Sequence, residues 1–494
     1  MCSNTNVISA RTFLDLMVEI SLGKKAFSGA IWASVDKIGT MALQFFVNII
    51  LARLLMPSDF GCIGMLAIFV IVSQTIIDGG FGSALIQKKE PTQTDYSTIF
   101  YWNILFAIIL YFILFYSAPF IASFYKMPLL CDVLRVMGVN LVISSFGIIQ
   151  INRQRKQLAF QRIALINIIS YLLASIVAIS LAYNDFGVWS LVVLQILYGI
   201  FSVSMFWFVT KWKPSLCFSV QSLKNLFSFG GYLLFASVLQ EICKNLQGLI
   251  IGRRFSSVEM GLYAQAKKLD DVTSLTLPNI IVQVIFPVYS QLQNDLKRTC
   301  EVLRMNVRII SFFTFPLMIL LIIIAHPLIN FLYGDKWGAA VPYFQILCVS
   351  GLFACLQNVN YYAVAAQGKS NVLFAWSFYK WGMLLLLLLV GMYWGMYGIL
   401  CGMVISSLNI YLVNAILVGR YVSYSLWQQL KDIFPIICIS LLTGVGAFFI
   451  SEYSHLSFVI IILIYGIIYL LLVYIGRLKV RNDIIYIYRL LRNR

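Results

Sequence analysis

The sequence predicts an all-α polytopic membrane protein with about fourteen transmembrane helices in two pseudo-symmetric lobes. Three observations carry that expectation. Only 11% of the 494 residues are charged and 61% are apolar, lysines and arginines recur between long apolar runs, and part of the chain repeats after 200 residues. Each run approaches the roughly 20 residues needed to cross a hydrocarbon core of about 30 Å. Too little lies between the runs to build a sizeable soluble domain.

In order, the first span, 27–55, follows Lys24 and Lys25, and the second, 60–86, stops before Lys88 and Lys89. Spans 97–123 and 129–151 are separated at Lys126, and Arg153, Arg155 and Lys156 close the fourth. Spans 160–183 and 186–210 end at a basic linker holding Lys211, Lys213, Pro214 and Lys224. The seventh, 226–252, ends at Arg253 and Arg254, and the eighth, 260–288, precedes Lys297 and Arg298. Spans 304–332 and 339–366 flank a loop at Asp335, and spans 371–392 and 395–419 lie between Lys369 and Arg420. The last two, 432–450 and 457–476, flank a loop at Glu452 and lead to Arg477.

Sorted by side, 24 of the 36 Lys and Arg residues fall on one face and six on the other, the rest lying in or near spans. Positive residues collect on the cytoplasmic side, so both termini are expected there and the number of spans is even. A net charge of +17 spread over short loops does not form the single basic surface of a nucleic-acid binder. The ten cysteines include no CxxC pair, and His326 and His455 stand apart, so neither a zinc site nor a disulfide framework is expected. Nothing near the N-terminus reads as a cleavable signal peptide; residues 1–16, before Met17, read as an upstream start-site extension.

At an offset of 200, Phe27 and Ser28 fall on Phe227 and Ser228, Ile50 on Ile250, Arg53 on Arg253, Asp59 on Glu259, and Gly61 on Gly261. Six spans separate the copies, so both run the same way through the membrane, as in parallel-repeat transporters. The expected organisation is a cytoplasmic lead (1–26), an N-lobe of helices 1–6 (27–220), a C-lobe of helices 7–12 (221–420), and helices 13 and 14 with a basic amphipathic tail (421–494). The tail, 477–494, reads as a helix lying on the cytoplasmic leaflet.

The segments ILARLLMPSDFG (50–61), GFGSALIQKK (80–89), FGVWSLV (186–192), MGLYAQAKKL (260–269), LYGDKWGAAVPYFQIL (332–347) and QGKS (367–370) resemble one known family. It is the polysaccharide-transporter branch of the multidrug/oligosaccharidyl-lipid/polysaccharide (MOP) exporter superfamily, nearest in likeness to Wzx-type flippases of the colanic-acid kind. The resemblance runs from about residue 20 to residue 475. It implies a MATE-like, two-lobed V of fourteen helices opening alternately to either side of the bacterial inner membrane. The implied cargo is an undecaprenyl-diphosphate-linked oligosaccharide, exported for O-antigen, capsule or exopolysaccharide assembly, with polymerase and assembly proteins as partners. No catalytic residues carry over, no cofactor is implied, and the coupling ion, proton or sodium, is left open.

Charges buried in a membrane face a bundle interior or a water-filled cavity. In the first span Lys37, Met41, Gln44 and Asn48 share one helix stripe, and the repeat puts Ser237, Glu241, Lys244 and Gly248 on its counterpart, with Asp36 and Asn245 alongside. Local ion pairing, Asp36 with Lys37 and Glu241 with Lys244, is the plainer alternative. Further pathway candidates are Asp78, Lys267 and Lys268 with Asp270 and Asp271, Arg308, and Lys380 near the middle of an apolar run. The 267–271 group also reads as a helix-end salt-bridge network, and Arg308 as a snorkelling interfacial arginine. Lysines in a low-dielectric cavity suit a diphosphate. Gln357, Asn358, Asn360, Tyr361 and Tyr362 are candidates for sugar contacts.

Three rival functions make different demands. A cation-coupled drug antiporter of the same superfamily calls for carboxylates and twelve spans. A peptidoglycan-precursor flippase shares fourteen spans and an anionic lipid cargo. A membrane glycan polymerase or ligase needs a large outer loop with reactive groups, whereas the outward loops here are short and hold no nucleophile with a base.

Overall fold

The computed structural model describes residues 32–276, 295–453, 457–476 and 478–483, and the single positions 29, 278, 289 and 292. The expected N-terminal lead and most of the amphipathic tail lie outside the described residues. Every regular element described is helical. Contacts divide the chain into two compact units, Met1–Arg253 and Arg254–Arg494.

The first unit holds α1 (Trp32–Leu54), α2 (Pro57–Asp78), α3 (Phe81–Gln87), α4 (Gln93–Tyr125), α5 (Leu129–Lys156), α6 (Phe160–Tyr183), α7 (Val188–Thr210) and α8 (Val220–Arg254). On α1, Val47, Leu51 and Leu55 recur every four residues and bury one stripe against Ala174, Ala178, Leu191 and Leu194 of α6 and α7. Helix α2 stops at Gly79 and Gly80, both left-handed (φ 62° and 68°). A Cβ on Gly80 would sit 2.5 Å from the Gly230 carbonyl oxygen, so only glycine allows α8 to pass this close. Lys156 caps α3, its ammonium donating to the carbonyls of Leu85, Ile86 and Lys88.

The linker after α7 is fixed to the same unit. Trp212 donates to Gln93 (2.7 Å), Gln93 donates to the Lys213 carbonyl (2.8 Å), and the backbone amides of Ser215 and Ser219 donate to Ser97 and Thr98. Helix α8 then meets α2 to α4 at both ends. Leu226 joins the cluster of Phe81, Tyr96, Phe100 and Trp212, and a Cβ on Gly252 would touch Met65 and Tyr125. These contacts place the compact boundary one helix later than the 220/221 boundary read from the repeat.

The second unit holds α9 (Ser257–Asp271), a π-helical turn (Val272–Thr276), α10 (Leu296–Ile323), α11 (Ala325–Tyr333), α12 (Val341–Ala366), α13 (Ser370–Gly391), α14 (Gly395–Val422), α15 (Leu426–Tyr453) and α16 (Phe458–Ile475). Its core joins Leu303, Val307 and Ile310 of α10 to Val359 and Ala363 of α12, Ile433 and Ile436 of α15, and Tyr469 of α16. Helices α13 and α14 form a close hairpin, where a Cβ on Gly391 would lie 2.5 Å from the Gly398 carbonyl oxygen.

Among the described residues, eleven helices are long and apolar enough to cross a membrane, or twelve counting a pair in α8 bent by 54°. The expected fourteen is therefore approximate. One of the eleven, Val372–Val422, contains both α13 and α14. The expected eighth span, 260–288, begins as α9, but most of 277–288 lies outside the described residues. The protein is a multi-pass membrane protein.

The acids paired at an offset of 200 both stand at helix starts. Asp59 accepts from the Met56 amide (2.9 Å) at the start of α2, and Glu259 accepts from the Ser256 amide (3.2 Å) at the start of α9. Each acid lies three residues into its turn and reaches back to an otherwise orphaned N–H. Left-handed residues also recur at matching points. Leu158 and Gly368 precede α6 and α13, Gly187 and Gly395 start α7 and α14, and Lys211 and Ser423 end α7 and α14.

Candidate functional site

Intramembrane polar groups gather at several places, each considered within its own unit. In the first unit, Asp36 accepts from Thr40 one turn along α1 (3.3 Å) and from the Asn167 amide of α6 (3.0 Å). Tyr198 of α7 donates to the Asn167 carbonyl oxygen (3.5 Å). The carboxylate is thus held by neutral donors, and among the described residues no ion pair joins it to Lys37. Along the stripe, Lys37 is exposed, Gln44 half-buried and Asn48 buried. Asp78 is exposed at the end of α2, beside the Gly79–Gly80 break.

On α8 the local pair does form. Lys244 lies 3.0 Å from Glu241, with side chains 47% and 27% exposed, and Asn245 donates to the Glu241 carbonyl. Both repeat helices bury their ends, at Leu51 and Ala52 on α1 and at Ile250 and Ile251 on α8, and α8 is also buried earlier, at Leu226.

In the second unit Lys267 bridges Asp270 and Asp271 at 2.8 Å each. Asp270 is buried, and its backbone carbonyl accepts from the hydroxyls of Thr273 and Ser274 (2.9 and 2.8 Å) in the π-helical turn. Lys380 of α13 lies 4.7 Å over the Trp381 ring, beside stacked Trp376 and Tyr379, and Tyr379 donates to Asn409 of α14 (3.0 Å).

Arg308 sits in another network. It forks onto Asp483 (2.7 and 3.0 Å), while Arg304 forks onto Asp432 (2.8 and 3.1 Å), to which Tyr424 also donates (2.9 Å). Burial first, then the nearby Asp432 carboxylate, raises the Tyr424 hydroxyl well above its ordinary pKa and keeps it a donor. These pairs tie the starts of α10 and α15 to the segment after α16. Two of the amides read as sugar contacts instead join helices: Gln357 donates to Ser407 (2.9 Å) and Asn360 to Gln429 (3.1 Å).

Sequence reasoning missed Asn167 and Tyr198, although an amide inside the apolar run 160–183 was a usable signal. It also missed Asp432 and Asp483, whose arginine partners lie 128 and 175 residues away, and Tyr424, which bonds Asp432.

Comparison with known proteins gives a family, two relatives and two structures of similar fold. Residues 50–342 match the family model described as polysaccharide biosynthesis protein. The chain is 27% identical over 359 residues to the teichuronic acid biosynthesis protein TuaB of Bacillus subtilis, covering 72% of this chain and 74% of that one. It is 23% identical over 410 residues to the lipopolysaccharide biosynthesis protein WzxC of Escherichia coli, covering 81% of each. In fold it is similar to the lipid II flippase MurJ in an inward closed conformation, with a TM-score of 0.71 at 14% identity, covering 90% of this chain and 98% of that one. It is also similar to an inward-facing MATE family transporter of the MOP superfamily, with a TM-score of 0.62 at 14% identity, covering 79% and 98%.

Proposed function

The chain belongs to the polysaccharide biosynthesis protein family, and on that premise we propose that it is a flippase exporting undecaprenyl-diphosphate-linked oligosaccharide repeat units. Export runs by alternating access across the bacterial inner membrane, for O-antigen, capsule or exopolysaccharide assembly. Both termini are cytoplasmic, and the work is transport, not catalysis.

One observation supports this reading above the rest. Two helices related by the repeat each carry a lysine on an open face inside an apolar helix, Lys37 on α1 and Lys244 on α8. A charge within the membrane costs a few kcal/mol if it faces hydrocarbon, so lysines on these two helices support a polar path. The diphosphate supplies about two negative charges for such lysines to hold. The Asp36 network, Glu241 and Asn48 give the same helices neutral or acidic neighbours, to which the lysines can return once the cargo has left.

The test is transport in inverted membrane vesicles loaded with labelled lipid-linked oligosaccharide, comparing wild type with Lys37→Gln and Lys244→Gln. Capture by a lectin sealed in the lumen reports the flipped cargo. Transport of lipid-linked peptidoglycan precursor in preference to the oligosaccharide would replace this reading with that of a precursor flippase.

A further inference from the structure

A groove of ≈ 1000 Å³ lies wholly within the second unit, between the start of α10, the start of α15 and the segment after α16. Its walls are mainly apolar, with Phe434, Ile437 and Leu478 along it and Trp427 beside them. Arg304, Arg308 and Asp432 line it too, and the two arginines are neutralised by their forks onto Asp432 and Asp483. Lys431 and Lys479 also line the groove, are exposed, and among the described residues take part in no ion pair. The local balance is therefore two positive charges at the mouth of an apolar channel.

From that complementarity we propose that the groove binds an anionic glycerophospholipid of the surrounding leaflet. Its phosphodiester lies between the ammonium groups of Lys431 and Lys479, and one acyl chain runs along Phe434, Ile437 and Leu478. Trp427 is 76% exposed and suits the headgroup level, where an indole keeps its ring apolar and its N–H wet. Two of the three walls come from beyond residue 420, outside the 200-residue repeat that carries the intramembrane lysines. The seated lipid joins the start of α15 to the end of α16 across a cluster already tied by the two arginine forks.

Native mass spectrometry of the full purified chain tests this. Phosphatidylglycerol, phosphatidylcholine and undecaprenyl phosphate are added in turn to wild type, Lys431→Gln/Lys479→Gln and Lys431→Arg/Lys479→Arg. Each basic residue near an anionic headgroup contributes about 1 kcal/mol. The double glutamine variant should therefore lose one tightly held phosphatidylglycerol with an affinity drop of about thirtyfold, while the double arginine variant keeps it. An unchanged thermal midpoint in lipid-free detergent shows that the variant is folded. Equal retention of phosphatidylglycerol by the glutamine variant overturns the proposal. So does equal binding of phosphatidylcholine at this site, which would make the groove a reader of chains alone. Displacement of phosphatidylglycerol by an equal or smaller amount of undecaprenyl phosphate overturns it in favour of the carrier lipid.

Discussion

Lys37 and Lys244 occupy related stripes but are restrained differently. Lys244 is neutralised by Glu241 at 3.0 Å, whereas Asp36 beside Lys37 is taken up by Thr40 and Asn167. Lys37→Gln should therefore remove most glycan export while leaving expression intact, and Lys37→Arg should retain part of it, because the proposed role is charge and not packing. Lys244→Gln also leaves Glu241 unbalanced, so Glu241→Gln/Lys244→Gln is the necessary companion. Surface polysaccharide measured in a deletion strain complemented with each variant decides this, and normal polysaccharide in Lys37→Gln would remove the lysine from the mechanism. Asp432 gives a contrasting case in which stability is at stake. Its side chain is 4% exposed and receives Arg304 and Tyr424, so Asp432→Asn leaves a guanidinium without its counter-charge. A loss of about 3 kcal/mol is expected, seen as a lower unfolding midpoint in detergent and reduced membrane yield.

Helix starts show how the repeat works at the scale of an element. Asp59 and Glu259 were legible as a recurring acid two residues before a glycine, but their work, closing α2 and α9 onto the amides of residues 56 and 256, needed the backbone to be seen. Asp59→Ala and Glu259→Ala should each cost about 1 kcal/mol. Their effects should add in a double variant, since the caps share no partner; thermal unfolding of the single and double variants measures this. Other features gave no periodic signal. The break between α2 and α3 depends on Gly80 lying against Gly230, 150 residues away, and hydropathy carries no trace of such an approach. Apolar runs marked the spans well, yet they did not separate the bent α8 from a straight helix; the alternating charges of 267–271 did announce a salt-bridge network, but not the π turn beside it.

For the whole molecule, the fold class and the family were legible from charge spacing and motif order, because bilayer thickness fixes span length and loop charge fixes orientation. The compact boundary was less legible. Positive-φ glycines stand at the starts of both α7 and α14, but the packing of α8 is decided by Leu226, Gly230 and Gly252 against α2 to α4, and sequence similarity does not report contacts. Orientation supplies the last prediction. If the repeat is parallel, the α1–α2 turn and the α8–α9 turn face the same side of the membrane; an inverted repeat would put them on opposite sides. On the orientation proposed from the lysine and arginine distribution, that side is the periplasm. In a background with the native cysteines replaced, Ser58→Cys, Ser257→Cys and Asp335→Cys should all react with an impermeant maleimide in intact cells. Lys213→Cys, in the linker bonded to Gln93, should react only after the membrane is opened. Labelling of position 58 without 257 would exclude a parallel repeat. Labelling of 213 in intact cells would reverse the orientation and, with it, the direction of transport proposed here.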